Sequence, residues 1–177
     1  MAQPAHTLTE VQKKTVITAT RKQLQCAADL YETGFTEPPI LFDLGGTQAG
    51  ACRIHKTLLH THCSLHYNSA VFSLDLEHHL HDTVIHEVAH YIAFCLHGPH
   101  IKPHGPEWKQ VVKQLGGTPK ARGDYCIEGL KIRRQRRFPY TCGCRTLELS
   151  ATLHNRIQNG QVRICRFCGK AIAPLIK

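Results

Sequence analysis

The chain has 177 residues, 42% hydrophobic and 20% charged, which is the composition of a folded globular protein and excludes a disordered one. No apolar run approaches the roughly 20 residues a membrane-spanning helix needs, and "MAQPAHTLTEVQKK" has no apolar signal core, so a cytosolic protein without membrane contact is expected. The formal net charge of +9 points to a polyanionic partner, nucleic acid first, and in a reducing compartment the nine cysteines read as thiols or metal ligands rather than disulfides.

Residues 9–33 carry Val11, Ile17, Leu24, Ala28 and Tyr31 at roughly helical spacing, with Thr7 or Thr9 to cap the start and Gly34 to suit the exit. Pro38-Pro39 breaks the chain. "ILFDL" (40–44) reads as a strand, a turn follows at Gly45-Gly46, and further strands are expected near "AGACRI" and over "CSLHYN" (63–68). Leu76–Leu96 reads as one long, partly buried helix ended by Gly98-Pro99. After a His-, Pro- and Gly-rich loop (97–106), a candidate lid, "PEWKQVVKQLGG" predicts a short helix with Gly116 at its C-terminal cap. Cys26, Cys52, Cys63, Cys95 and Cys126 stand singly among apolar neighbours and are expected as small core residues.

"HDTVIHEVAHYIAFCLHG" (81–98) sets His86, Glu87 and His90 inside an apolar run. On a helix, residues four apart share one face, so the two imidazoles can meet at one ion. Glu87 is rotated by about 100° from His86, which keeps it off the metal but within reach of a water the metal binds. That division of labour is the metalloprotease logic of HExxH. Val84, Ile85, Val88, Ala89, Ile92 and Ala93 bury the rest of the helix, so the polar three are not a solvated face. A third ligand comes from His97, His100 or His104. His104 is the first choice, because "PHGPEW" folds the chain back toward the helix and Trp108 can anchor the return. Three histidines would leave the open fourth position that catalysis requires.

Composition shifts at "GLKIRRQRRFPY" (129–140), a basic connector, and a boundary is placed after residue 137. Cys142 and Cys144, then Cys165 and Cys168, flank a span that reads as a β-hairpin with its turn at Asn159-Gly160. Two close thiolate pairs at this separation describe a zinc ribbon, a closed structural site whose metal supplies folding energy. The C-x-C pair is tighter than usual, which leaves open that His154 replaces Cys142 or Cys144. Lys131, Arg133, Arg134, Arg136 and Arg137 could neutralise phosphates, and Phe138 and Tyr140 beside them could stack on unpaired bases.

"HEVAH", "PHGPEW", "FPYTCGC" and "RICRFCG", in this order, resemble the bacterial SprT family, a metalloprotease-like domain with a C-terminal zinc ribbon, and the "GTQAG" turn fits as well. The catalytic domain of that family is similar to Spartan, the eukaryotic protease that degrades proteins covalently trapped on DNA. The resemblance implies zinc ligands at His86, His90 and His104 and a catalytic base at Glu87. The expected architecture is α+β: a small zincin-like metalloprotease domain over residues 1–137, with helices and a sheet of about three strands, then a zinc ribbon over 138–177. The expected function is a zinc-dependent endopeptidase with one catalytic and one structural zinc, acting on DNA-associated or DNA-crosslinked proteins. The alternative is a nucleic-acid-binding zinc-ribbon protein whose HExxH site is structural or vestigial and whose role lies in gene expression.

Overall fold

The computed structural model describes residues 7–57, 61–130 and 136–175 and divides between Lys131 and Ile132 into two compact units, each treated by itself below. Lys131, Arg133 and Arg134 of the basic connector lie outside the described residues.

In the first unit, helix α1 (Glu10–Tyr31) opens on a capping box: the Thr9 hydroxyl accepts from the Gln12 N–H, and the Gln12 side chain accepts from the Thr9 N–H. Val16, Thr20, Leu24 and Ala27 recur at three- and four-residue spacing and form its buried stripe. The helix ends on Glu32, which adopts the left-handed conformation (φ 50°) and donates its N–H to Ala28, so the cap forms two residues before Gly34.

The sheet has three strands, β1 (Ile40–Leu41), β2 (Gly50–Lys56) and β3 (Thr61–Tyr67), in the order β1-β3-β2. β1 runs parallel to β3 and β2 antiparallel to it, with Cys52 opposite Leu65 and Ile54 opposite Cys63. β1 is shorter than "ILFDL" predicts. Beyond Leu41 the chain bends so that the Asp43 carboxylate accepts from His66 Nδ1 at 2.5 Å, and His66 Nε2 meets Ser64 Oγ at 2.8 Å. That bond holds the Asp43 carboxyl below its usual range.

The helix expected over 76–96 is two helices, α3 (Leu76–His81) and α4 (Thr83–His97), preceded by a single turn, α2 (Ser69–Phe72). Asp82 (φ −111°, ψ −63°) makes the bend, yet its N–H still bonds His78 O and its carbonyl still accepts from the His86 N–H. The bend allows two faces to be buried: His79 of α3 stacks on Phe72 with ring centroids 4.7 Å apart, while α4 buries Val84, Val88 and Ile92. α5 (Pro106–Gln114) begins with proline at its first position, where the missing N–H costs nothing, and buries Trp108, Val111 and Val112. The core lies where α4 meets α1, α5 and the sheet, and Trp108, Tyr67, Phe72 and Leu65 are among its fully buried side chains. A polar pair deep in it is satisfied internally, Thr20 Oγ1 to Tyr67 Oη at 3.0 Å.

Of the five single cysteines, Cys52 and Cys63 are partly buried and pack against the core, whereas Cys26, Cys95 and Cys126 are exposed and do not belong to it.

The second unit holds β4 (Arg137–Thr141), β5 (Thr146–Ser150), α6 (Ala151–Gln158) and β6 (Ala173–Pro174), with sheet order β5-β4-β6 and antiparallel pairing throughout. A hairpin is present, but its turn is Cys142–Arg145, with Gly143 at φ 85°, rather than Asn159-Gly160. Asn159-Gly160 instead terminates α6, whose start is capped by the Ser150 hydroxyl accepting from the Leu153 N–H. The unit buries Tyr140, Cys142 and Cys165 and leaves Val162, Ile164 and Phe167 exposed. Among the described residues no helix is long and apolar enough to cross a membrane.

Candidate metal centres and cleft

α4 carries His86 and His90 one turn apart, and the loop after it returns His104 to the same point. The three Nε2 atoms converge: 3.3 Å between His86 and His90, 3.1 Å between His90 and His104, and 3.2 Å between His104 and His86. Nitrogens bound at about 2.0–2.1 Å around one tetrahedral ion stand roughly 3.3 Å apart, so the donor set fits zinc without rearrangement. Burial lowers His86 to about 4 and His90 to about 3, helped in each case by the neighbouring imidazoles, and His104 moves the same way. All three are therefore neutral at pH 7 with a lone pair available. His97 and His100 do not join them.

The approach of His104 is built with some strain. Its backbone is left-handed at φ 58°, unusual for a residue with a Cβ, and the turn is closed by the Gly105 N–H donating to Lys102 O at 2.8 Å. A Cβ at Gly105 would sit 2.8 Å from that same carbonyl, so glycine is required there. Trp108, one turn into α5, touches all three imidazoles, with ring centroids at 4.8, 5.1 and 4.6 Å, and its indole N–H donates to the His86 carbonyl at 3.3 Å. It forms the apolar wall that orients the set.

Glu87 is 6% exposed and borders the same cleft, which has a volume of about 630 Å³. Burial pushes its carboxyl up to about 8, opposed by the Cys52 backbone N–H. Two features that sequence reasoning missed place it. Gly50, at the start of β2, lies so close that a Cβ there would fall 2.6 Å from Glu87 Cγ and 2.8 Å from Thr83 Cγ2. The loop leading into Gly50 is pinned from two sides. Asn68 Nδ2 donates to the carbonyls of Gly46 and Gln48, and Tyr125 Oη accepts from the Ala49 N–H and donates to Thr47 O. A glycine inside a strand pattern, as in "AGACRI", is the signal for such a close approach. Asn68 and Tyr125 leave no comparable mark in the sequence.

In the second unit the four cysteine sulfurs form one group, with all Sγ atoms within 4.8 Å of one another. Cys142 and Cys144 are 3.1 Å apart and Cys144 and Cys165 3.8 Å. Sulfurs at about 2.3 Å from one zinc are separated by roughly 3.8 Å, so the set fits a closed four-sulfur site, with the C-x-C pair pinched. N–H groups of Phe167 and Cys168 aimed at Cys165 bring its thiol down to about 6, toward the ligand form. His154 is engaged elsewhere: its ring stacks on Phe138 with centroids 3.8 Å apart, and its Nδ1 meets Tyr140 Oη at 3.0 Å. Phe138 and Tyr140 are thereby packed within the unit. Arg136 and Arg137 are exposed, with the Arg136 guanidinium 5.0 Å from the Phe138 ring.

A histidine pair four apart on a helix, a buried glutamate between them and a third histidine from the following loop form a candidate metal centre of the HExxH pattern. The profile of the SprT-like family matches residues 20–136, and this chain belongs to that family. Protein SprT of Pseudomonas paraeruginosa is 35% identical over 146 residues, covering 80% of this chain and 83% of that protein. Protein SprT of Pseudomonas fluorescens is 33% identical over 147 residues (81% and 84%), and that of Glaesserella parasuis 28% over 158 residues (89% and 96%). No solved structure matches.

Proposed function

We propose that this chain is a zinc-dependent endopeptidase of SprT type that acts on proteins associated with or crosslinked to DNA. The observation that carries the reading is a buried acid, Glu87, set beside three converging imidazole nitrogens in a cleft bordered by β2, whose outer edge pairs with no described strand. Zinc held by His86, His90 and His104 would polarise a carbonyl and acidify water. The ionised form of Glu87, which the positive charge of that zinc would favour against the burial that raises its carboxyl, would take the proton from the attacking water and return it to the leaving nitrogen. The Cys52 N–H and the bare Cα of Gly50 fix where that carboxylate stands.

A peptide substrate is favoured by β2. It pairs with β3 on one side and with no described strand on the other, and Gly50, Cys52 and Ile54 line the cleft. An extended chain can add to such an edge through backbone hydrogen bonds, whatever its sequence. Gly50→Ala is expected to lower hydrolysis by about 100-fold, the scale of an ångström-sized misplacement at a reacting centre, with zinc content unchanged. Initial rates set beside metal analysis of the same sample check it; equal rates would show that Gly50 does not position the base.

Charge favours DNA. Residues 132–177 contain ten Lys and Arg against a single acid, Glu148, so the whole net charge of +9 belongs to the second unit and residues 1–131 are neutral. Replacing Arg133, Arg134, Arg136 and Arg137 together by alanine is expected to weaken DNA binding. It should also reduce the slope of log K against log salt by about 0.9 for each phosphate that is no longer neutralised. An unchanged slope would remove the connector from the interface. The experiment for the function as a whole is degradation of a protein covalently crosslinked to DNA, with the free protein as control. Cleavage that depends on DNA is expected. Tight DNA binding with no cleavage would instead favour a nucleic-acid-binding protein with a vestigial site.

A further inference from the structure

The cleft is chemically uneven along α4. His86, His90 and Phe94 stand four apart and share one helix face, so Phe94 continues the line of the metal ligands by one more turn. At the opposite end the cleft is lined by Gln48, Asp82 and Arg122; at the Phe94 end it is lined by Ile54 and Ile101. On β2, Ile54 has the same parity as Cys52, which lines the cleft, so both side chains project from the sheet face turned toward α4. Ile54 is 42% exposed, and Phe94 and Ile101 are partly exposed beside it. An isoleucine on that face of a strand is ordinarily covered. Among the described residues nothing covers this one, and the patch is continuous with the three histidines.

The geometry points to a specificity pocket formed by Ile54, Phe94 and Ile101, which takes a large apolar side chain on the N-terminal side of the scissile bond. This deepens the endopeptidase reading and rests on it. The side follows from register. Gly50 and Cys52 abut Glu87, so the reacting bond lies beside that part of β2, and Ile54 lies further toward the strand's C-terminal end. A chain adding antiparallel, as β3 does on the other edge, runs opposite to β2 and brings its N-terminal portion past Ile54. Lys102, exposed next to Ile101, is the competing feature; were it dominant, an acidic residue would be preferred.

The test uses the full-length, zinc-loaded Glu87→Gln protein, which binds without cutting, and fluorescent peptides identical except for leucine, glutamate or lysine at one central position. Fluorescence anisotropy should give a leucine peptide bound roughly tenfold more tightly than the other two, the low end of what burying a leucine side chain is worth. That preference should collapse in Ile54→Asp and shrink in Ile54→Thr, which keeps a strand-forming shape and guards against misfolding. Cut sites of the unsubstituted protein, mapped by mass spectrometry, should carry an apolar residue on the N-terminal side. Equal binding of the three peptides, a glutamate preference, binding of none, or indifference to Ile54→Asp would each overturn the pocket. Cleavage without apolar preference would remove the pocket and leave the endopeptidase standing. Leucine-selective binding with no cleavage by the unsubstituted protein would keep the pocket and remove the endopeptidase.

Discussion

Replacing Cys165 with serine is expected to unfold the second unit outright. Its buried side chains, among the described residues, are Tyr140, Cys142 and Cys165, so two of the three belong to the candidate four-sulfur site, and Val162 and Phe167 are 73% and 78% exposed. Burial on this scale cannot offset the conformational entropy of ordering some forty residues. Zinc held by four sulfurs contributes about 10–16 kcal/mol of apparent binding energy in small domains, and in such domains binding energy is folding energy. The chain with Cys165→Ser should therefore lose one zinc per molecule, and amide protection over 136–175 should vanish in hydrogen exchange while α1, α4 and α5 keep theirs. A second unit that stays protected without its metal would mean that the strands β4, β5 and β6 hold by themselves.

His90→Ala is expected to have the complementary effect. His90 contributes one of three nitrogens and stacks its ring on Trp108 at 26° and 5.1 Å. Even outer-shell partners of metal ligands cost about 10- to 100-fold in affinity, so losing a ligand should weaken zinc at this centre by at least about 100-fold. The first unit should remain folded, since its core is apolar and independent of the ion. Metal analysis after dialysis should give one zinc per chain, retained by the cysteines. Chelation of the unsubstituted protein should follow the same order, with the three-histidine site emptied before the closed four-sulfur site. Simultaneous loss of both would show that the two sites are not chemically distinct in the way proposed.

What could be read in the sequence was whatever depends on short-range spacing. The i, i+4 pair of HEVAH sets two imidazoles on one helix face, and the return marked by Gly105, Pro106 and Trp108 brings in a third. The cysteine pairs were legible for the same reason. The hairpin between them was not: Asn159-Gly160 looks like a turn, but the Ser150 cap starts a helix and makes the pair its terminus. The bend at Asp82 is equally silent, because hydrophobic periodicity runs through it and only the packing of His79 on Phe72 requires the change in direction. Least legible were the positioning contacts. Tyr125 reaches Thr47 and Ala49 across more than seventy residues, and no local pattern records such a contact.

The most direct test of the central claim is proteolysis by the unsubstituted protein and by Glu87→Gln at matched zinc content. Glutamine keeps the size of the side chain and the three histidines but cannot take a proton, and general-base catalysis is worth about 10²- to 10⁴-fold. The expected result is two zincs per chain in both proteins, with cleavage reduced at least about 100-fold in Glu87→Gln. Equal cleavage by the two proteins would contradict the role given to Glu87 and with it the reading of the cleft as an active site.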